Sequence, residues 1–390
     1  MMVRPVFLAG MAWTSAFLGV MSLLGVVAFH FPEYLTTPQL RQVYEVAHLR
    51  TLLYSSMVLT LLLAAPALLF SNQKPHAALA LGCLLLAWLA GGPNVPLVES
   101  FPQPHFYLSL DWVLLDLLLM ATLFINIELF FRLKPQQGIL RHGWRVDLAH
   151  YVANHLFNGL IVALLFIPAH TIERYLGLEV LQSAVSALPL VVQVLLIMLV
   201  TDLAQYWVHR AFHQVPLLWR FHRIHHSAQA MDWLAGSRLH IVDVLVTRSL
   251  SLVPMVLLGF SNQAINWYLP ILALQSVFIH SNLRFEMAGL QKIITTPKYH
   301  HWHHTSDKGS IDKNFSVSLP LFDLLFGTFY SPKGQWPKEY GVHGPQIGES
   351  YWAHLLAPFQ AARPEKVRTE SGKRAASSAS HSGPTLGSAD

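Results

Sequence analysis

Charge is scarce in this chain, and cysteine is nearly absent. Only 12% of the 390 residues are Asp, Glu, Lys or Arg, roughly half of the ~25% usual in a soluble domain. So few charges cannot cover a water-exposed surface. The 53% apolar content and the positive mean hydropathy agree, and an integral membrane protein is expected. The one cysteine, Cys83, lies inside an apolar run. A single thiol excludes an internal disulfide, a Cys₄ zinc site and an iron–sulfur cluster. No Cys-x-x-Cys-His occurs, which argues against covalent c-type haem. No Gly-x-Gly-x-x-Gly follows a strand pattern and no His-Pro-Gly-Gly is found, so no electron-supplying module is legible. The net charge of +5 gathers in loops rather than in a stripe interleaved with aromatics. That pattern reflects membrane topology, and nucleic acid is not an expected partner. Any metal must be held by histidine, carboxylate or water.

Apolar runs, in contrast, are abundant. Phe7–Phe29 covers 23 residues, long enough for a ~30 Å hydrocarbon core. It exceeds a secretory h-region and no small-x-small cleavage site follows, so a retained span is expected. Thr51–Leu69, Ala77–Leu89, Phe106–Phe131, Tyr151–Ile167, Leu188–Trp207, Ile241–Phe260 and Ala264–Ile279 complete eight segments. The last two, joined by Ser261-Asn262-Gln263, could also form a re-entrant hairpin. With a cytoplasmic N-terminus, the inner loops carry Arg4, Lys74, Arg132, Lys134, Arg141, Arg145, Arg210, Arg220, Arg223 and Arg238. The outer loops carry only Arg41, Arg50 and Arg174. The positive-inside rule therefore places both termini in the cytoplasm. The fold class is all-α, a polytopic membrane helical bundle. Residues 1–140 form the N-terminal transmembrane helices and 141–335 a histidine-rich domain with its core at 188–330. Residues 336–363 form a C-terminal extension. Residues 364–390, rich in Ser, Ala, Gly and Lys/Arg, cannot bury a core and read as a disordered tail.

Half of the 22 histidines fall between His209 and His304. They form the clusters His209-x-x-x-His213, His222-x-x-His225-His226 and His300-His301-x-His303-His304, with His240 and His280 between them. Residues i, i+3 and i+4 of a helix share a face, so each cluster can converge. Thr295-Thr296-Pro297 signals a helix start just before the last cluster. His301 is about 100° round a helix from His300 and faces elsewhere. One transition-metal ion takes about four to six ligands. His209, His213, His222, His225, His226, His240, His280, His300, His303 and His304 are too many for one ion and suit two. In the topology above all ten lie on the cytoplasmic face. Ligating imidazoles need their second nitrogen oriented by a carboxylate or carbonyl; Asp202, Asp243 and Asp312 are the candidates. Isolated histidines (His30, His48, His76, His105, His142, His150, His155, His170 and His354) read as structural. Asp111 and Asp116 are intramembrane acids placed too far toward the outer side to touch the cluster. A metal transporter or store is the competing class, but it should place ionisable groups along a mid-membrane path.

The ordered pattern H-x-x-x-H, H-x-x-H-H, H-x-x-H-H resembles the fatty acid hydroxylase/sterol desaturase superfamily of membrane di-iron enzymes. The framework is similar too: Asp202-Leu-Ala-Gln-Tyr-Trp-Val-His209-Arg, Leu218-Trp219-Arg220-Phe221-His222, Arg238-Leu-His240, His280-Ser281-Asn282, Asp312-Lys-Asn314-Phe315 and Phe322-Asp323-Leu-Leu-Phe326-Gly327-Thr328. The resemblance covers roughly Leu188 to Tyr330. The usual Asn-Tyr-Gly reads Asn314-Phe315-Ser316 here, and the usual proline after the single histidine is Ile241. The resemblance makes 141–335 a catalytic domain and adds Asn314 to the groups that orient ligands. It implies two iron ions, O2 as co-substrate and a lipid substrate entering from the bilayer. The expected reaction is hydroxylation or desaturation of a sterol or related lipid, with a fatty acyl or ether lipid as the alternative. It also implies an external electron carrier, a ferredoxin or a cytochrome b5-like protein. Arg141, Arg145, Arg220 and Arg223 are candidate docking cations for it.

Overall fold

Uncharged apolar runs can satisfy their backbone groups in lipid only as helices or closed barrels, and here they form helices. The computed structural model describes residues 3–96, 107–156, 169, 171–286, 289–343 and 347–360. The helices that matter are α1 (Val3–His30), α2 (Val46–Phe70), α3 (Lys74–Leu89), α4 (Leu110–Phe130), α5 (Trp144–Leu156), α6 (Leu190–Gln214), α7 (Pro216–His226), α8 (Ile241–Leu257), α9 (Asn262–His280), α10 (Pro297–His303) and α11 (Tyr351–Leu356). No strand occurs among the described residues. Two isolated bridges, Arg132–Leu283 and Thr305–Tyr340, join loops.

Among the described residues, five helices are long and apolar enough to cross a membrane: α1 from Leu8, α2, α3 with its extension to Asn94, α4 and α6. Ala77–Leu89, short on its own, is lengthened by Lys74, Pro75 and His76, with the proline in the first turn where no N–H is needed. The expected last pair is present as α8 and α9, of 17 and 19 residues, outside those five. Residues 157–167 of the expected span Tyr151–Ile167 lie outside the described residues, as do His105, His170 and the tail 364–390.

Helices α1, α2 and α3 pack through small side chains. Ala12, Ala64, Ala67, Ala77, Ala80 and Ala87 are fully buried. A Cβ on Gly19 would stand 2.8 Å from the Ala80 carbonyl oxygen, so only glycine admits that approach. Small residues at crossings are the membrane solution, because tail-like side chains gain nothing over lipid. In the second half α6 packs against α8 and α9 through Ile197, Met255, Phe260, Ala264 and Tyr268. Helix α4 packs against α5 and the 233–234 loop through Val113, Met120, Phe124, Tyr151, Trp233 and Leu234.

The few charges inside this frame act as pins. Asp111 accepts from the Thr37 backbone N–H and the Tyr44 hydroxyl. Asp116 pairs with Tyr151 and His155; neither acid touches the histidine clusters. Glu128, at the other end of α4, accepts from the N–H groups of Trp233 at 2.7 Å and Asn282 at 3.0 Å. It thereby ties the two loops that border the clusters to a membrane helix. Arg141 is buried between Asp147 and Asp232, at 2.7 Å from each. It therefore leaves the set of docking cations.

Candidate metal centre

Four elements deliver the histidines. The last turns of α6 carry His209 and His213; α7 carries His222, His225 and His226; α9 ends on His280; α10 and the residue after it carry His300, His303 and His304. Thr296 caps α10 by accepting from the Tyr299 N–H, with Pro297 at the first position. The side chains sort into two groups. His209, His213, His222, His226 and His303 form one; His225, His280, His300 and His304 form the other. Within each, one ring nitrogen per residue lies within 4.8 Å of all the rest. The groups adjoin: the rings of His226 and His304 stack at 4.5 Å.

The outer nitrogens are held by backbone and carboxylate acceptors. His209 Nδ1 donates to the Phe315 carbonyl at 2.7 Å, and His303 Nδ1 to the Lys313 carbonyl at 2.7 Å. His222 Nδ1 donates to Asp243 at 2.7 Å and His213 Nδ1 to Asp312 at 3.2 Å. His225 Nδ1 donates to the Arg238 carbonyl at 3.3 Å and His280 Nδ1 to the Ser276 carbonyl at 2.6 Å. These bonds fix the tautomers, because a neutral imidazole carries one proton. The inner Nε2 of each is then a bare lone pair.

That arrangement makes no sense without a cation. Nε2 of His209 and Nε2 of His222 face each other at 3.0 Å. Nε2 of His225 and Nε2 of His280 do so at 3.3 Å. Two lone pairs at that distance repel. Nε2 of His213, His226 and His303 are buried with no hydrogen-bond partner at all. Buried polar atoms are almost always paired, and seven orphaned or opposed nitrogens across the two adjoining groups fit bound metal. Nor can protons take its place. The imidazoles of His222, His225, His226, His300, His303 and His304 are held well below their ordinary pKa, first by burial and then, in each case, by neighbouring histidines. Neutral imidazole nitrogens with no thiolate suit iron, copper, zinc or nickel.

The loop after α10 is shaped for this task. Asp312 and Asn314 both sit at φ +60°, a left-handed region that Asn and Asp tolerate better than other side chains. The Asn314 side chain locks the turn: it donates to the carbonyls of Tyr299 and Tyr330 and accepts from the Tyr330 N–H. The turn aims the carbonyls of Lys313 and Phe315 at His303 and His209. Asp323 holds the next stretch, accepting from the N–H groups of Phe315 and Ser316 at 2.8 Å each. Gly236 lets another loop lie against His280, where a Cβ would come within 2.7 Å of Nδ1.

Two expected residues are placed differently. His240 is brought to neither group. Its Nδ1 accepts from the Val242 N–H and its Nε2 donates to the Leu355 carbonyl, at 3.1 Å each, so both nitrogens are taken. It caps α8. Asp202 contacts no imidazole; it accepts from the N–H groups of Val317, Ser318 and Leu319. His301 turns away, between the Tyr340 hydroxyl at 2.9 Å and the Ser281 carbonyl at 3.1 Å. Asp323, Asp147, Asp232 and Glu128 position the site without having been picked out as site residues. Buried acids in so uncharged a chain were the available signal. His150 and His354, read as structural, pair with each other at 3.1 Å.

Comparison with known proteins agrees with this geometry. Residues 194–328 match the fatty acid hydroxylase family. The chain is similar to the ornithine lipid hydroxylase OlsE of Rhizobium tropici, with 30% identity over 44% of this chain and 51% of that protein. It is also similar to the human alkylglycerol monooxygenase, with 30% identity over 33% of this chain and 28% of that protein. A fatty acid hydroxylase of a Lecanicillium species is 29% identical over 33% of this chain and 40% of its own length. The matched segments thus span about half or less of these relatives. No solved structure matches the chain. Residues 194–328 of the chain therefore carry a fatty acid hydroxylase domain.

Proposed function

We propose that the protein is a membrane-bound, O2-dependent hydroxylase of an acyl or ether lipid, with one iron ion in each histidine group. The observation that carries this reading is the pair of adjoining, buried imidazole sets whose inner lone pairs oppose each other across about 3 Å. Two iron ions, when bound, would activate O2 so that one oxygen atom enters an unactivated C–H bond. His209, His213, His222, His226 and His303 would hold one ion, and His225, His280, His300 and His304 the other. Asp243, Asp312 and the carbonyls of Lys313, Phe315, Arg238 and Ser276 orient them. Burial of all these histidines but the half-buried His213 keeps bulk water from the centre. Hydroxylation consumes two electrons and two protons per O2, so an external ferredoxin or cytochrome b5-like carrier supplies the electrons. The positive-inside pattern supports a cytoplasmic centre and cytoplasmic termini. The relatives' names, an ornithine lipid hydroxylase and an alkylglycerol monooxygenase, favour an acyl or ether lipid over a sterol.

The test is to compare lipids extracted from host membranes with and without the gene by mass spectrometry, alongside metal analysis of the purified protein. A lipid class gaining one oxygen, two irons per chain, and loss of both in His226→Ala and His304→Ala are expected. One exchangeable zinc with no O2 consumption would sink the reading.

A further inference from the structure

A groove of about 710 Å³ runs along α5, closed by the first turn of α8 and by α11. Its walls are apolar, with Leu148, Val152, Leu156, Ile241 and Leu355 among them, and Arg145 is the one charged lining residue among the described residues. No histidine of either metal group lines it, so it is not the reaction pocket. The volume falls within the ~300–1,000 Å³ of ordinary ligand sites.

The direction of the groove follows from the packing of α5 on α4. Glu128, at the C-terminal end of α4, meets the loops beside the metal centre. Asp116, twelve residues earlier on α4, meets Tyr151 and His155 of α5. The Ser109 N–H, just before α4, donates to the Leu156 carbonyl at the end of α5. Helix α5 therefore runs antiparallel to α4, with Arg145 at the metal-centre end and Leu156 at the other. Eleven residues separate them, ~16 Å of helix. Arg145 is exposed, and its guanidinium lies over the Trp144 ring at 5.6 Å. It makes no ion pair among the described residues; the nearby Glu349 is paired with His142. The shape is an apolar slot along the membrane depth with one unneutralised cation at its rim.

We propose that this groove seats one acyl chain of an anionic phospholipid from the leaflet on the metal-centre side, with its phosphate paired to Arg145. The charge at the rim supplies the selectivity, because burying a lipid tail in protein gains little over burying it among other tails. One arginine near the surface contributes about fivefold toward an anionic over a zwitterionic lipid. The lipid is a resident one rather than the substrate. Its seat lies against Ile241 and Leu355, in the same first turn of α8 whose His240 donates to the Leu355 carbonyl and whose Asp243 holds His222. Occupancy would brace that turn.

The test is native mass spectrometry of the full chain purified in mild detergent and offered equal amounts of phosphatidylglycerol and phosphatidylcholine. Wild type should retain one phospholipid with about a fivefold preference for phosphatidylglycerol. Arg145→Gln, an exposed change that leaves the fold intact, should bring the ratio to about one. Ala153→Phe, which fills the slot, should abolish retention of both. Failure of wild type to retain lipid, an undiminished preference in Arg145→Gln, or full retention in Ala153→Phe would overturn the proposal. So would conversion of the retained lipid to an oxygenated product during turnover, since the groove would then serve the substrate. The three lipid-retention readouts do not depend on which metal, if any, the histidines hold.

Discussion

Asp243 offers the sharpest test of the metal centre, because it reaches the ions only through His222. Its carboxylate accepts from His222 Nδ1 at 2.7 Å and from the Thr247 hydroxyl at 3.0 Å, and both His222 and Asp243 are buried. The carboxylate does two things. It fixes the tautomer that turns His222 Nε2 inward, and it raises the basicity of that nitrogen. Loss of such a partner lowers metal affinity by about 10–100-fold, or about 1.4–2.8 kcal/mol. Asp243→Asn keeps an acceptor for Nδ1 but removes the charge, so it should fall at the lower end. Asp243→Ala also strands the Nδ1–H in a dry site, a further ~1–3 kcal/mol of folding stability. The assay is iron retention against graded chelator, paired with denaturation of the metal-free protein. The expected order of affinity is wild type, then Asn, then Ala, with the Ala variant alone losing apoprotein stability. Wild-type iron affinity in both variants, with the fold intact, would refute the reasoning.

His240→Ala should keep the full complement of iron and lose about 1 kcal/mol of stability, the cost of a helix cap. His226→Ala should lose iron, so metal analysis of the two variants separates a capping histidine from a ligating one. The metal-free protein should also lose stability below about pH 6.5. Burial, with His280 next, holds the His301 imidazole down to about 3. The folded state therefore stays neutral there while the unfolded state takes up a proton from pH 6.5 downward. A lowered folded-state pKa thus gives stability that is complete above pH 6.5 and falls as pH drops toward 3, by about 1.4 kcal/mol per pH unit for each such histidine. Denaturation followed between about pH 5 and 7.5 checks this; a flat profile would count against it.

The helical scaffold and the histidine clusters were legible because both are written in side chains at regular spacing. The acceptors behind the histidines were less so. Four of them are backbone carbonyls, of Phe315, Lys313, Arg238 and Ser276, and a carbonyl has no identity in a sequence. Asp202 shows how a correct face can mislead. It lies on the His209 side of α6, but seven residues are ~10 Å of helix, too far for its short side chain to reach the imidazole. It instead clamps the strained loop whose carbonyl does. His240 resembled a ligand because it stands alone beside Asp243, and periodicity cannot distinguish a cap from a ligand at a helix start. The Arg141–Asp147–Asp232–Arg238 cluster joins residues 91 apart in sequence at two contacts, beyond any local pattern.

Spacing also carried more information than a shared face. In α7, His222 and His226 enter the five-membered group, while His225 enters the other. In α10 the assignment is reversed: His300 and His304 enter the four-membered group, and His303 crosses to the five-membered one. Each H-x-x-H-H therefore gives its i, i+4 pair to one group and its middle residue to the other. The geometry requires this. Residues i and i+4 differ by only about 40° around the axis, whereas adjacent residues differ by about 100°. Two such helices, each feeding both groups, hold the groups at a fixed separation. A single helix slipping by one residue would misplace ligands in both at once. The repeated motif thus specifies two sites and the distance between them, and a lone H-x-x-x-H, as at His209 and His213 in α6, supplies only one.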